Sequence, residues 1–264
     1  MKSIISAFNQ ICSQKYKPLG FVKIGQGFVC MGREVFHTFA LKQGSLKRKV
    51  TVEFGVVPLC ANIWHPMSLH GGAYELHQFN PDLYMNFGWY CDLDSEDNII
   101  NCAMEISEAI DSYVLPLFEK CKDCKTALTV LPDLEELFDQ NRKEVLRRIG
   151  EVDCAMPWQE SSLYDGYKYY MALKAKNWDY ARRYLVFLIH HYEEKLREFN
   201  LPDAPKQPPW VKPRFEAQLN ELCERLDRLS YSDFAFFNDM VNRNESQTLE
   251  FIKSKYPKLY ANYH

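Results

Sequence analysis

The chain reads as an α+β protein: an N-terminal four-stranded antiparallel sheet with packed helices, followed by an all-α C-terminal helical bundle. Two observations predict this. Apolar residues recur at every second position as far as Cys91, and from Ile99 onward they recur at helical spacing. The joins Met31-Gly32-Arg33 and Gly44-Ser45-Leu46 are short enough to make at least the first three strands a hairpin meander.

Ile4, Ile5, Phe8, Ile11 and Cys12 mark an opening helix that Pro18 and Gly20 stop. Phe21 to Met31 reads as the first strand. Val35, His37, Phe39 and Leu41 face one way in the second, Val50, Val52, Phe54 and Val56 in the third, and Leu83, Met85, Phe87, Trp89 and Cys91 in the fourth. Ile99, Ala103, Ile106, Ile110, Val114 and Leu117 then mark a helix that Ser95 or Asp97 can cap. Leu134, Leu137, Phe138, Val145 and Ile149 mark another. Tyr164 to Lys176 and Trp178 to Phe199 form a helical pair. The five prolines between Pro202 and Pro213 read as a stiff connector over 201–213. Phe215, Leu219, Leu222, Leu226 and Leu229 follow on one helical stripe, which lies on its own bundle or forms a short dimer seam. Two shorter helices, Phe234 to Val241 and Leu249 to Tyr256, end the chain. The change of period divides the sequence into a sheet domain, 1–125, and a helical domain, 126–264.

Composition narrows the function. Of 264 residues 47% are hydrophobic and 25% charged, which is ordinary for a globular core. A net charge of -3 gives no surplus of cations for displacing counterions from nucleic acid. Nine scattered cysteines do not suggest a secreted disulfide framework, and no apolar run approaches the ~20 residues that cross a bilayer. The expectation is a cytoplasmic protein with no cofactor, no nucleic acid and no membrane contact.

The stretch from Cys60 to His77 is long and aperiodic, the kind of loop that often carries function. Cys60, His65, His70 and His77 are competent zinc ligands, and four would close a tetrahedral site, yet four or six residues between ligands fits no tight knuckle. Trp64, His65, His70, Trp89 and Tyr90 are instead read as a binding surface, Trp and Tyr being the types that anchor interfaces. Cys121-Lys122-Asp123-Cys124 has the spacing of a redox or zinc pair but follows a helix, so two solvent-side or half-buried thiols at a helix end are expected. Asp92, Asp94, Glu96 and Asp97 lack the glycine and glutamate of a calcium loop and read as charge at a helix start. His190 and His191 point about 100° apart and cannot share a ligand. No phosphate loop and no nucleophile elbow is present. Ala172-to-Ala181, with Asn177-Trp178-Asp179 between, resembles the turn of a tetratricopeptide repeat; a single copy is a helical hairpin, and a peptide groove over Tyr167, Tyr170 and Tyr184 is the minority reading.

Leu19-Gly20-Phe21-Val22-Lys23, Phe28, the Val35-to-Leu41 strand and Val52-Glu53-Phe54-Gly55-Val56 together resemble the opening of a bacterial family named domain of unknown function 4304. The similarity spans roughly residues 1 to 115. It implies a bacterial cytoplasmic protein and, by association, an immunity-like or defence-associated role; no catalytic residue comes with it. The sequence therefore points to a non-enzymatic protein that binds a protein partner. The alternatives are a metal-dependent enzyme using the loop over 60–77 and a peptide-binding helical adaptor.

Overall fold

The computed structural model describes residues 3–44, 48–61, 74–79, 88–131, 165–201 and 208–263. Ser3 caps the first helix, α1 (Ile4–Tyr16), its side chain accepting from the Ser6 amide at 3.2 Å. The sheet follows: β1 (Val22–Ile24), β2 (Gly27–Met31), β3 (Val35–Gln43), β4 (Lys49–Pro58), β5 (Tyr74–Glu75) and β6 (Trp89–Tyr90). Their order is β1-β2-β3-β4-β5, and β6 also pairs with β4; every pairing is antiparallel. The α+β class is as the sequence predicts. Two details differ. The stretch from Phe21 to Met31 is a hairpin rather than one strand, because Gly25 (φ +59°) permits a two-residue turn between paired Ile24 and Gly27. The outer edge of β4 is shared by two short strands, so among the described residues the sheet has six strands where four are expected. The fourth expected strand contributes only Trp89–Tyr90; its Leu83–Phe87 portion lies outside the described residues.

Side-chain alternation gives the sheet two buried faces. On the first, Phe28, Phe39, Leu41, Val50, Val52, Phe54 and Val56 pack against α1 and the helix α2 (Glu96–Ala109). A polar pin ties those two helices together: the buried Tyr16 hydroxyl lies 2.9 Å from the Ser107 carbonyl oxygen and 3.0 Å from Asp111 Oδ1, and Lys15 also pairs with Asp111. After α2 the helix widens into a π turn over Ile110–Val114 before α3 (Leu115–Lys120). Pro116 supplies the reason: its ring excludes the carbonyl four residues back, and a wider turn relieves that clash.

Cys121 ends α3, and Asp123 opens α4 (Cys124–Val130) with a capping box to Thr126. The boundary drawn at 125 therefore falls inside a helix. The helix expected around Leu134 to Ile149 lies outside the described residues. α5 (Asp165–Lys174) and α6 (Trp178–Phe199) form the expected hairpin, with Ala172 and Ala181 both fully buried at the crossing and Asn177 capping α6. α7 (Val211–Ser230) begins earlier than the proline run suggests, taking Pro213 into its first turn. Its apolar stripe lies on α6, with the Phe215 ring tilted against Tyr192 and edge-on to Phe199.

The two terminal helices expected at 234–241 and 249–256 are one helix, α8 (Phe234–Lys255), followed by α9 (Pro257–Tyr260). The polar run Asn242 to Gln247 reads as a break, but Asn244 is buried and its Nδ2 donates to the Cys60 carbonyl at 3.1 Å. A tertiary hydrogen bond thus holds a weak helix former inside a helix. Ile252 of α8 and Leu259 of α9 cover the second face of the sheet, over Ile24, Val29, Met31, Phe36, Val57 and Leu59. The last helices therefore sandwich the sheet, and Asn262 adds a bond from its Nδ2 to the Gly20 carbonyl at 3.0 Å.

Candidate functional site

Beyond the cover of α8 and α9, the second face turns polar. Lys42, Thr51, Glu53 and Glu75 point to it, and His77 folds back from a short 3₁₀ turn onto them. Lys42 Nζ lies 2.6 Å from Glu53 Oε1 and 3.2 Å from Glu75 Oε1. Burial opposes its charge, but the two carboxylates outweigh burial and carry Lys42 above the ordinary lysine range. His77 is 5% exposed, with Nδ1 at 3.1 Å from Glu75 Oε2 and 3.3 Å from Thr51 Oγ1. Burial, and then the nearby cations Lys49 and Lys42, push its imidazole down to about 4.

This geometry decides the chemistry. A relay needs the carboxylate on one ring nitrogen and the hydroxyl on the other. Here Glu75 and Thr51 approach the same nitrogen, so His77 does not activate Thr51. A neutral imidazole with a pKa near 4 is also a weak base at pH 7, far from the matched value that proton transfer favours. The group works as a cross-strand clamp, and it leaves a pH signature. Because His77 takes up its proton more readily in the unfolded chain, stability falls as pH drops from about 6.5 towards 4, by on the order of 2–3 kcal/mol. Urea titrations of wild type and His77→Gln across that window should show the two curves converging as the pH falls; parallel curves would remove His77 from this role.

Of the expected binding residues only Trp89 and Tyr90 are among the described ones, and they face opposite sides of the sheet. Trp64, His65 and His70 lie outside the described residues. Trp89 packs half-buried against the first core, whereas Tyr90 is 69% exposed and sits on the second face opposite Lys49. Of the alternative metal set, the two described members, Cys60 and His77, lie apart. His77 touches Thr51 near one end of β4, and Cys60 lies past the other end. Thr51 to Pro58 alone spans about 23 Å, whereas ligands of one zinc ion sit within ~4 Å of each other. Cys60 and His77 therefore cannot share an ion, and among the described residues no group of three His, Cys, Asp or Glu side chains is placed to hold one.

Cys121 and Cys124 sit at helix ends as expected, but their side chains are fully buried rather than solvent-side or half-buried. Cys121 is pushed up to about 12 by burial, and its carbonyl accepts from His37 Nε2 at 2.8 Å. Cys124 turns instead toward Cys60. The rings expected to line a peptide groove go to different places: Tyr167 packs toward the sheet, Tyr170 and Tyr184 into the helical cluster.

One surface had no signal in hydrophobic periodicity. Residues 92–119 contain eight acids and no Lys, Arg or His; this segment carries -8 against -3 for the whole chain, leaving the remainder at +5. The structure turns that segment into the outer side of α2 and its extension. Asp97, Asn101, Met104, Glu105 and Glu108 are exposed along it, Met104 at 48%, and Tyr113 stands out at 40% from the π turn. Arg48 meets Asp94 at one end and Lys15 meets Asp111 at the other; between them Glu105 and Glu108 form a negative field. Among the described residues no helix is long and apolar enough to cross a membrane. No protein-family model, curated protein or solved structure matches the chain.

Proposed function

We propose that the chain is a non-enzymatic protein-binding protein that docks a basic partner on the outer face of α2. The carrying observation is the base-free segment 92–119, four of whose acids, Glu96, Asp97, Glu105 and Glu108, lie exposed on α2 beside exposed Met104. Like-charged surface of this kind speeds encounter with an oppositely charged protein and penalises wrong partners. Met104 and Tyr113 supply the apolar and aromatic contact that charge alone lacks. α2 is fixed to α1 and to the sheet by buried contacts, so the surface is presented without an ordering cost. Neutralisation of a basic toxin domain is the specific form this reading takes if the resemblance over residues 1–115 holds.

The test is capture from an extract of the native cell, with the captured protein then titrated against purified variants. The partner is expected to be basic, and binding should weaken at least tenfold between 50 and 300 mM salt or on the double change Glu105→Lys, Glu108→Lys. Met104→Ala should weaken it at all salt concentrations. Binding indifferent to both salt and charge reversal would refute the assignment to α2.

A further inference from the structure

Where the sheet half meets the helical half, two thiols that are 64 positions apart in sequence are neighbours. Cys60 lies in the 3₁₀ turn just past β4, 1% exposed, and Cys124 opens α4, 0% exposed. A single carbonyl brings them together: Glu34 O accepts from the Leu59 amide at 2.9 Å and from Cys124 Sγ at 3.8 Å, and Leu59 directly precedes Cys60. Cys60 Sγ lies 3.6 Å from the Tyr170 carbonyl oxygen, and the Cys60 and Cys124 side chains are near enough to interact. Both are free thiols. Four other residues frame the pair: Glu34, which accepts from the Cys124 amide at 3.1 Å; Lys174 of α5, bonded to Glu245 of α8; and Asn244 of α8 on the Cys60 carbonyl.

We infer that Cys60 and Cys124 form a thiol–disulfide site, closed by a peroxide, that locks the end of the sheet to α4 at the junction of the two halves. The surroundings give the two sulfurs different tasks. Lys174, whose ammonium pairs with Glu245, lies near Cys60, whereas the Cys60 side chain, burial and the Glu34 charge keep Cys124 protonated. Cys60 as thiolate attacks hydrogen peroxide, the O–O bond breaks, and Cys60 becomes a sulfenic acid as hydroxide leaves and takes a proton to become water. Cys124 then attacks the sulfenic sulfur, its own proton leaving with the departing hydroxyl as a second water. Overall two thiols and one peroxide give one disulfide and two waters. Because both sulfurs are buried, the reagent enters only when the junction opens, so closure runs at the opening rate and not at the rate of an exposed thiol.

The experiment treats the full chain, with exposed Cys223 changed to Ser, with hydrogen peroxide, quenches with N-ethylmaleimide in denaturant, and maps the unreduced digest by mass spectrometry. The expected product is a Cys60–Cys124 linked peptide, two hydrogens lighter than its parts. It should raise the melting temperature by about 10 °C, as a closed loop of ~65 residues does, and dithiothreitol should reverse the rise. Cys60→Ser should abolish both, and Cys91→Ser should leave both intact. Recovery of Cys60 and Cys124 as alkylated thiols after prolonged oxidation, or crosslinking only between Cys91 and Cys102, would overturn the assignment; the peptide map of the parent protein decides this even if the Cys60 variant does not fold.

Discussion

Gly88→Ala is expected to lower stability by about 3 kcal/mol or more. Gly88 has φ +117°, a region that L side chains rarely adopt, and a residue forced there is strained by about 1–3 kcal/mol. Space makes matters worse. A Cβ at this position would lie 2.2 Å from the Val50 carbonyl oxygen and 3.1 Å from Thr51 Cβ. The oxygen belongs to β4 backbone and cannot rotate away. To clear it, β6 must move by about 1 Å, enough to lose the Val50–Trp89 and Lys49–Tyr90 pairings and the bond from the Cys91 amide to the Arg48 carbonyl. Trp89 would then leave the first core. Gly44 provides the control: its Cβ would meet Lys49 at an ordinary 3.5 Å, so Gly44→Ala should change stability by less than about 1 kcal/mol. Urea midpoints of the two variants measure the contrast, and equal midpoints would show that β6 yields without cost.

The change of period is legible because buried positions enforce it. β3 and β4 read correctly from Val35 and Val50 onward, since the register Phe39↔Phe54 keeps the same residues on one face. What misleads is equally particular. Asn242 to Gln247 looks like a loop because intrinsic helix preference is low there, and only the distant Cys60 carbonyl, 184 positions away, explains why the helix continues. The two buried faces of the sheet were not expected, because Val35 to Leu41 and Val50 to Val57 are nearly continuous apolar runs in which alternation is visible but a second cover is not. The short β5 is invisible for another reason: two residues carry no period.

The candidate site divides the same way. Reactive residue types drew attention to Cys60, His77 and the Cys121–Cys124 spacing, but spacing along the chain does not report which sulfur meets which. Cys124 finds Cys60 and not Cys121, because Cys121 closes one helix while Cys124 opens the next. The acidic face of α2 was partly on view as Asp92, Asp94, Glu96 and Asp97. Its extension through Glu105 and Glu108 becomes a surface only when the helix brings residues three and four apart onto one side.

Phe39→Ala should destabilise the protein by about 3–5 kcal/mol, the usual range for truncating a fully buried ring. Phe39 is 1% exposed at the centre of β3, and its ring lies 5.3 Å from Tyr16, 5.2 Å from Phe21 and 5.2 Å from Phe28. Removing it opens a cavity at the point where α1, the first hairpin and the central strands converge. The cavity cannot collapse easily, because Tyr16 is held by its hydroxyl at Ser107 and Asp111 and Phe28 is fixed by the register of β2 on β3. Phe39→Leu keeps most of the volume and should cost no more than about 1.5 kcal/mol. The pair of variants also separates scaffold from surface. Phe39 lies beneath α1 and touches none of Asp97, Met104, Glu105 or Glu108, so the leucine variant should bind the basic partner as wild type does while its urea midpoint falls. Loss of binding in a folded Phe39→Leu protein would place the docking face on the β1–β2 side of the molecule, away from α2.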